Sequence, residues 1–390
     1  VFPPVLGGSA TVYENLARFG DGRVCVLAPE VNYLTGEPLP DVAAFDAGFP
    51  APVFRLPHVR TMMGARGRHG LAELAEDLFL RVRLVLTIWW LTRVHGIGTL
   101  VIGELLANGW LAGIARNWLG LFTVIYVHGE EITMTGGYDA NGDRRRRALR
   151  EADRIITVSD FSQSALTSLM GGDAAKITLI PNGVDVSRFT PRPPDPGLRA
   201  RYGLTGRVLL SVCRLTARKG VDQVIECLPS LRRIYPDLMY LVVGDGEDRA
   251  ALQRRAAELD LGDAVMFAGA VDRALLAEHY ALADIFIMPN RTLANGDTEG
   301  FGLVFMEASA CGVPVIGGRA GGTAEAVRDG VTGLLVDGTS RDDISAAIRQ
   351  LLDNPAQRAA MGRAGVAFAA ENGWRSRAAR FLAACTPDRG

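Results

Sequence analysis

The sequence predicts an α/β protein of two doubly wound, Rossmann-like domains, each a parallel sheet with helices on both faces. Three observations carry this reading. Short apolar runs alternate with longer helix-period segments along almost all of the 390 residues, which is the pattern of repeated βα units. The alternation stops over Pro181–Gly203 (PNGVDVSRFTPRPPDPGLRARYG) and then restarts. Glycine-rich or charged clusters follow several of the strand-like runs, at the end of an open α/β sheet where ligands bind.

In the first half, Arg23–Leu27, Thr99–Ile102, Thr123–Val127, Arg154–Val158 and Ile177–Ile180 read as strands, short and rich in β-branched side chains. Val1-Phe2-Pro3-Pro4 reads as the end of an earlier strand, and a chain opening on valine is expected to continue upstream. Helical periodicity runs through Ala10–Phe19, Leu71–Val94, Trp110–Leu119, Arg144–Ala152 and Ser162–Met170. Asn32–Arg68 shows no decisive pattern. The proline-rich Pro181–Gly203 segment reads as a linker or boundary.

In the second half, strands are expected at Val208–Cys213, Tyr240–Val243, Val265–Phe267, Ile285–Met288, Pro314–Ile316 and Leu334–Val336. Helices are expected at Val221–Ile234, Arg249–Glu258, Leu275–Ala281, Leu303–Ala310 and Asp342–Leu352, with a two-piece helical tail over Gln357–Ala384. The expected domains are 1–190 and 191–372, with a C-terminal helix near 373–386 packing back on the first.

Composition excludes several classes. Hydrophobic residues make up 48% and charged residues 22%, enough apolar material for packed cores. A net charge of −1 gives no global basic field, so nucleic acid is not an expected partner. The five cysteines (25, 213, 227, 311 and 385) form no CxxC pair, which suggests neither a disulfide framework nor zinc and fits a reducing cytosol. The most apolar stretch, Leu84–Leu91 (LVLTIWWL), is far shorter than the ~20 residues of a membrane span. It reads as a buried amphipathic helix or as a helix lying on a membrane surface. The basic run Arg144–Arg147 reads as a solvated helix face or as a contact for an anionic lipid or acceptor.

Five clusters at strand ends carry the chemistry. Gly7-Gly8-Ser9 heads a helix, where glycine permits close backbone approach and free N–H groups face an anion; the plain alternative is a tight turn. His128 follows the strand Thr123–Val127, and is either structural or a ligand contact. Arg214-Leu215-Thr216-Ala217-Arg218-Lys219-Gly220 follows Val208–Cys213 and offers guanidinium forks and a mobile ammonium to a diphosphate, unless these are only solvated loop charges. Glu299-Gly300-Phe301-Gly302 leads into a helix carrying Glu307, an arrangement suited to a sugar, a phosphate and paired ribose hydroxyls. Gly244-Asp245-Gly246 and Gly269-Ala270-Val271 are weaker turn signals at strand ends. No dinucleotide fingerprint, P-loop, nucleophile elbow or metal-ligand cluster occurs.

Together these pieces resemble the family-four glycosyltransferases of the GT-B fold, over Phe2 to about Trp374. The matching motifs are Phe2-Pro3-Pro4 with Gly7-Gly8, Val127-His128-Gly129, Thr157-Val158-Ser159, Pro181-Asn182-Gly183-Val184-Asp185, Arg214-Leu215 with Lys219-Gly220, Val243-Gly244-Asp245-Gly246, Glu299 through Glu307, and Ala310 through Val315. Pro289-Asn290-Arg291 ahead of Glu299, with Leu215-Thr216-Ala217-Arg218-Lys219-Gly220, most resembles the phosphatidylinositol mannosyltransferase branch.

The resemblance implies two domains facing across a cleft and retaining transfer of a hexose from a nucleotide diphosphate sugar, without a cofactor or metal. Arg214 and Lys219 would neutralise the diphosphate, and Glu307 would bind the ribose. Glu299, with the backbone of Phe301, Gly302 and Leu303, would meet the sugar or phosphate. Val271 would meet the base, and Gly244 would line the donor site. His128 would contact the sugar near the reacting centre, and Gly7 and Gly8 would leave room for diphosphate and acceptor. The donor is expected to be GDP-mannose or a UDP-hexose, with mannose favoured by the branch. The acceptor is a lipid, given Arg60, Arg66 and Arg68 near the apolar helix, or a saccharide of the cell envelope. A cytoplasmic enzyme with peripheral contact to the inner membrane face fits these partners. A nucleotide-sugar epimerase or sugar phosphorylase on the same plan, distinguished by its products, is the rival enzyme. A non-catalytic sugar-nucleotide-binding subunit is the rival of another class, and a nicotinamide-dependent oxidoreductase ranks below both.

Overall fold

The computed structural model describes residues 2–5, 7–32, 36–59, 71–134, 139 and 141–387. Arg60, Arg66 and Arg68 lie outside the described residues. The chain divides into two compact units, Val1–Pro181 with Trp374–Gly390, and Asn182–Gly373.

The first unit contains β1 (Val26–Pro29) paired in parallel with β2 (Val53–Leu56). A second parallel sheet runs in the order β3 (Thr99–Ile102), β4 (Phe122–Val127), β5 (Arg154–Thr157) and β6 (Ile177–Leu179). The central strands β4 and β5 are almost fully buried, as their unbroken apolar runs require. β1 begins three residues later than the run Arg23–Leu27 predicts, because its register is set by pairing Val26 with Val53.

β2 has no apolar alternation to announce it, since Arg55 interrupts the run. That guanidinium is turned inward, donating to Asp46 at 2.7 and 2.9 Å, to Pro29 O at 3.1 Å and to Pro3 O at 2.7 Å. Phe2–Val5 form a turn and no strand. Phe2 is instead a core residue, 2% exposed, packed edge-on against Phe45 and Phe49.

The predicted apolar helix spans Leu71–His95. Leu84, Ile88 and Leu91, spaced as one helical stripe, are buried. The other side keeps Leu78 and Phe79 63% and 64% exposed, with Val82, Leu86, Trp89, Trp90 and Val94 also open. Among the described residues no helix is long and apolar enough to cross a membrane. The last helix, Trp374–Ala384, returns to this unit and buries Trp374, Ala378, Phe381 and Leu382. It is stitched in place by Thr99 donating to Cys385 O, Arg154 to Ala384 O and Arg380 to Leu179 O, at 2.7, 3.0 and 2.8 Å.

The second unit is one parallel sheet of β7 (Val208–Val212), β8 (Met239–Val243), β9 (Val265–Gly269), β10 (Ile285–Met288), β11 (Val315–Gly318) and β12 (Gly333–Val336). Their spatial order is β12-β11-β10-β7-β8-β9. The chain starts in the middle at β7, builds outward to β9, then crosses back to β10 and builds the other way. Strand order therefore reverses between β7 and β10, the point where doubly wound sheets open a crevice at their carboxyl ends.

The predicted helix Leu275–Ala281 opens as a 3-10 turn, Arg273–Leu275, before the α-helix Leu276–Ala281. Inside the proline-rich segment, Pro196–Arg201 forms a short helix whose first turn is capped by the Asp195 carboxylate.

Candidate functional site

In the second unit the loops leaving β7 and β10 meet at the reversal point. The β7 loop ends in a 3-10 turn, Ala217–Lys219. Lys219 Nζ lies 2.5 Å from Glu299 Oε2, and both side chains are largely buried. Arg218 adds a second cation, 3.5 Å from Glu299 and 3.2 Å from Asp297, and donates to Thr298 O at 2.8 Å. Burial would raise the Glu299 carboxyl, but Lys219 and Arg218 outweigh it and hold it below its ordinary value, helped by the Phe301 backbone N–H. A buried carboxylate with two cations is a site in which charge is already arranged before any anion arrives.

Arg214 leaves the same strand end, but its guanidinium is exposed and faces Glu247 at 3.2 Å. Asn290, fully buried just after β10, donates to Ala320 O and Thr323 and accepts from Gly318 N–H. It thereby ties the end of β10 to that of β11. Arg291 forms a two-armed bond with Asp222, at 3.0 and 2.9 Å.

Gly302 caps the helix Leu303–Ala310 with φ +88°, and a Cβ there would sit 2.5 Å from the Phe305 ring. Only glycine suits both the backbone angle and the ring beneath it. Phe301 is buried and Leu303 half-buried at the helix start, where N–H groups lack intrahelical acceptors. Glu307, one turn on, accepts a hydrogen bond from the buried Tyr280 hydroxyl at 2.7 Å, and burial pushes its carboxyl up. Gly244, with φ +129°, lies so close to the Cys213 carbonyl that a Cβ would overlap it. Val271, just past β9, lines a separate cavity of about 410 Å³ with Ala270, Tyr202 and Leu275.

In the first unit, Gly7, Gly8 and Ser9 head the helix Gly8–Arg18. A Cβ at Gly7 or Gly8 would meet open space among the described residues. The same helix carries Tyr13, whose hydroxyl lies 2.6 Å from Gly103 O and 2.7 Å from His128 Nε2. The His128 ring packs against both Tyr13 and Tyr126, with centroids 5.2 and 5.1 Å away, and burial pushes its pKa down to about 3. Its backbone N–H and that of Gly129 donate to the two oxygens of Glu131, at 2.7 and 3.0 Å. Burial outweighs those two bonds and raises the Glu131 carboxyl to about 7. Ser9, Gly103 and His128 line a cavity of about 850 Å³ shared with Arg81, Trp110 and Trp118.

Sequence reasoning therefore singled out Lys219, Glu299, Glu307, Gly302 and His128 but not the residues that hold them. Tyr13 sits mid-helix and Tyr280 at the end of the short helix Leu276–Ala281, neither with a local signal. Arg218 stood in the basic run beside two residues of the same charge, and only the turn geometry distinguishes it from Arg214.

Residues 199–367 match the family model described as glycosyl transferases group 1, and residues 6–188 match that of glycosyltransferase family 4. A GDP-mannose-dependent alpha-(1-6)-phosphatidylinositol monomannoside mannosyltransferase of Mycolicibacterium smegmatis is 41% identical over 74% of this chain and 76% of its own length. A GDP-mannose-dependent monoacylated alpha-(1-6)-phosphatidylinositol monomannoside mannosyltransferase of Corynebacterium glutamicum is 32% identical over 96% of this chain and 92% of its own. Among solved structures, HepE of Anabaena in complex with UDP superposes with a TM-score of 0.75 at 21% identity, covering 98% of this chain and 97% of that one. Shared fold, two matched family models and relatives of this identity lead to one conclusion: the chain belongs to the family-four glycosyltransferases, retaining hexosyltransferases of the GT-B fold.

Proposed function

We propose that this enzyme transfers mannose from GDP-mannose to a phosphatidylinositol-type lipid that already carries a sugar. The observation that carries the reading is the Lys219–Arg218–Glu299 cluster at the β7/β10 reversal point, in a chain 41% identical to an enzyme with that named activity. On arrival of the donor, its diphosphate competes with Glu299 for Lys219, while the exposed Arg214 exchanges Glu247 for the diphosphate and adds a further charge. Glu307, oriented by Tyr280, takes the ribose hydroxyls with its remaining oxygen. Val271 meets the base, and the turn at Gly244 keeps the floor of the site clear. Glu299 and the N–H groups of Phe301, Gly302 and Leu303 hold the sugar.

The acceptor hydroxyl attacks the anomeric carbon on the face from which the diphosphate departs. The bond to the leaving oxygen breaks as the new glycosidic bond forms, and the leaving phosphate takes the hydroxyl proton. Negative charge grows on that phosphate, where Lys219, Arg214 and the helix start at Gly302 stabilise it more in the transition state than in the ground state. Within the first unit, His128 serves as a contact for a substrate hydroxyl, and Gly7 and Gly8 leave open space at the head of helix Gly8–Arg18.

A lipid acceptor is favoured over a soluble saccharide by the apolar face of helix Leu71–His95, which suits peripheral contact with a bilayer. Arg81 of that helix and Trp118, 85% exposed, border the same cavity as His128. A polar headgroup entering there would leave its acyl chains beside the apolar face.

The test is direct. The purified enzyme, given GDP-mannose and vesicles containing a phosphatidylinositol monomannoside, is expected to release GDP and form the dimannoside. Equal or faster turnover with UDP-hexoses, or transfer only to soluble saccharides, would overturn the donor or acceptor assignment respectively.

A further inference from the structure

A neutral imidazole has one nitrogen that donates and one that accepts, and the choice is set by whatever holds the first. Around His128 that choice is forced by counting protons. The Tyr13 hydroxyl has one proton and two contacts, Gly103 O at 2.6 Å and His128 Nε2 at 2.7 Å. A carbonyl oxygen only accepts, so the tyrosine proton belongs to Gly103. The phenol oxygen must then accept at its other contact, and Nε2 must supply the proton.

We infer that Tyr13 is a positioning residue that locks His128 in the Nε2–H tautomer, leaving Nδ1 as a fixed acceptor for a substrate hydroxyl. The ring has no freedom to choose otherwise. Tyr13 meets it edge-on and Tyr126 at a tilt, the three rings forming one cluster, and its backbone is anchored by Glu131. Burial keeps it uncharged, so Nδ1 keeps its lone pair at any working pH. The Tyr13 phenol is itself fixed as the neutral form, because burial and the nearby Glu131 and Glu104 oppose its ionisation.

The chemical consequence is that His128 orients a hydroxyl without exchanging a proton with it. A neutral acceptor aligns the lone pairs of a sugar or acceptor hydroxyl, whereas an imidazolium would repel the positive charge that develops on the sugar. The role in transfer rests on the proposed glycosyltransfer reaction, but the tautomer does not.

Histidine-selective 15N labelling of the full chain reads the tautomer directly in long-range 1H–15N spectra, with the His128 signals assigned by their loss in His128→Gln. The wild type is expected to show a protonated Nε2 and an unprotonated Nδ1. Tyr13→Phe removes the acceptor while keeping the ring, and is expected to give a tautomer mixture. Its kcat should fall by about 10-fold, the worth of one well-placed hydrogen bond, with KM for the nucleotide sugar changed by less than about twofold. A protonated Nδ1 in the wild type overturns the proposal whatever the kinetics. So does a Tyr13→Phe enzyme that melts like the wild type yet keeps its tautomer and turnover. Should the wild type transfer no sugar at all, the function proposed above fails, and the wild-type spectrum still decides the tautomer.

Discussion

At the scale of single residues, the Lys219–Glu299 pair makes the sharpest demand. Lys219→Met should cut kcat/KM by roughly 100-fold or more, since one preorganised charge facing a developing anion is worth that much. The same substitution leaves Glu299 buried with Arg218 as its remaining cation, so unit stability should fall as well, by about 1–3 kcal/mol. Lys219→Met combined with Glu299→Gln removes the orphaned charge and should recover the melting temperature without recovering turnover. Rates and melting curves of the two variants separate the electrostatic role from the structural one.

Glu131 gives a pH signature of its own. Its folded pKa of about 7 lies above the unfolded 4.5, so its contribution to stability is full below about 4.5 and is lost as pH rises through about 7. Glu131→Gln should flatten that slope, which denaturant midpoints measured between roughly pH 5 and pH 8 will reveal.

At the scale of elements, the inner β-strands of the second unit, β7, β8, β10 and β11, were readable because each is buried on both faces and therefore mostly apolar. β2 was not, because an inward-facing arginine, Arg55, interrupts its short apolar run. The site was readable in the same uneven way. Charged and glycine residues at strand ends announce themselves, whereas Tyr13 and Tyr280 act across 90 and 27 residues of sequence and leave no local trace.

Gly244 shows how the close approach of two chain segments can dictate the residue at an element's end. Its missing side chain lets the β8 turn pass over the Cys213 carbonyl. Gly244→Ala is expected to cost about 3 kcal/mol or more from overlap and a disfavoured backbone angle, seen as a lower denaturation midpoint for the second unit. The helix Leu71–His95 makes the opposite prediction. Replacing Leu78, Phe79 and Leu86 by glutamate should leave stability nearly unchanged, because those side chains are already in water. Flotation with anionic vesicles should fall by about 10-fold or more, and unchanged flotation would exclude that face as the lipid contact.

At the scale of the whole molecule, the two units are built differently. The second is a single continuous stretch, Asn182–Gly373, with its own apolar core spanning β7, β8, β10 and the helices Val221–Ile234 and Arg341–Asp353. Expressed alone it should fold, and calorimetry should detect nucleoside diphosphate binding to it. The first is closed by residues that come after the second. A chain ending at Gly373 loses the burial of Trp374, Phe381 and Leu382, on the order of 5 kcal/mol of apolar contact. Its melt should split, the first unit unfolding early and the second unchanged, whereas a single unshifted transition would mean that the helix contributes little.

The return of helix Trp374–Ala384 also bears on how the protein is made. A ribosome delivers the amino-terminal half first, yet the last piece of that half emerges only after the whole carboxyl half has been translated. The nascent amino-terminal half thus waits with an uncovered apolar seam while the other half folds ahead of it. A premature stop at Trp374 would consequently spare the half made last and cripple the half made first.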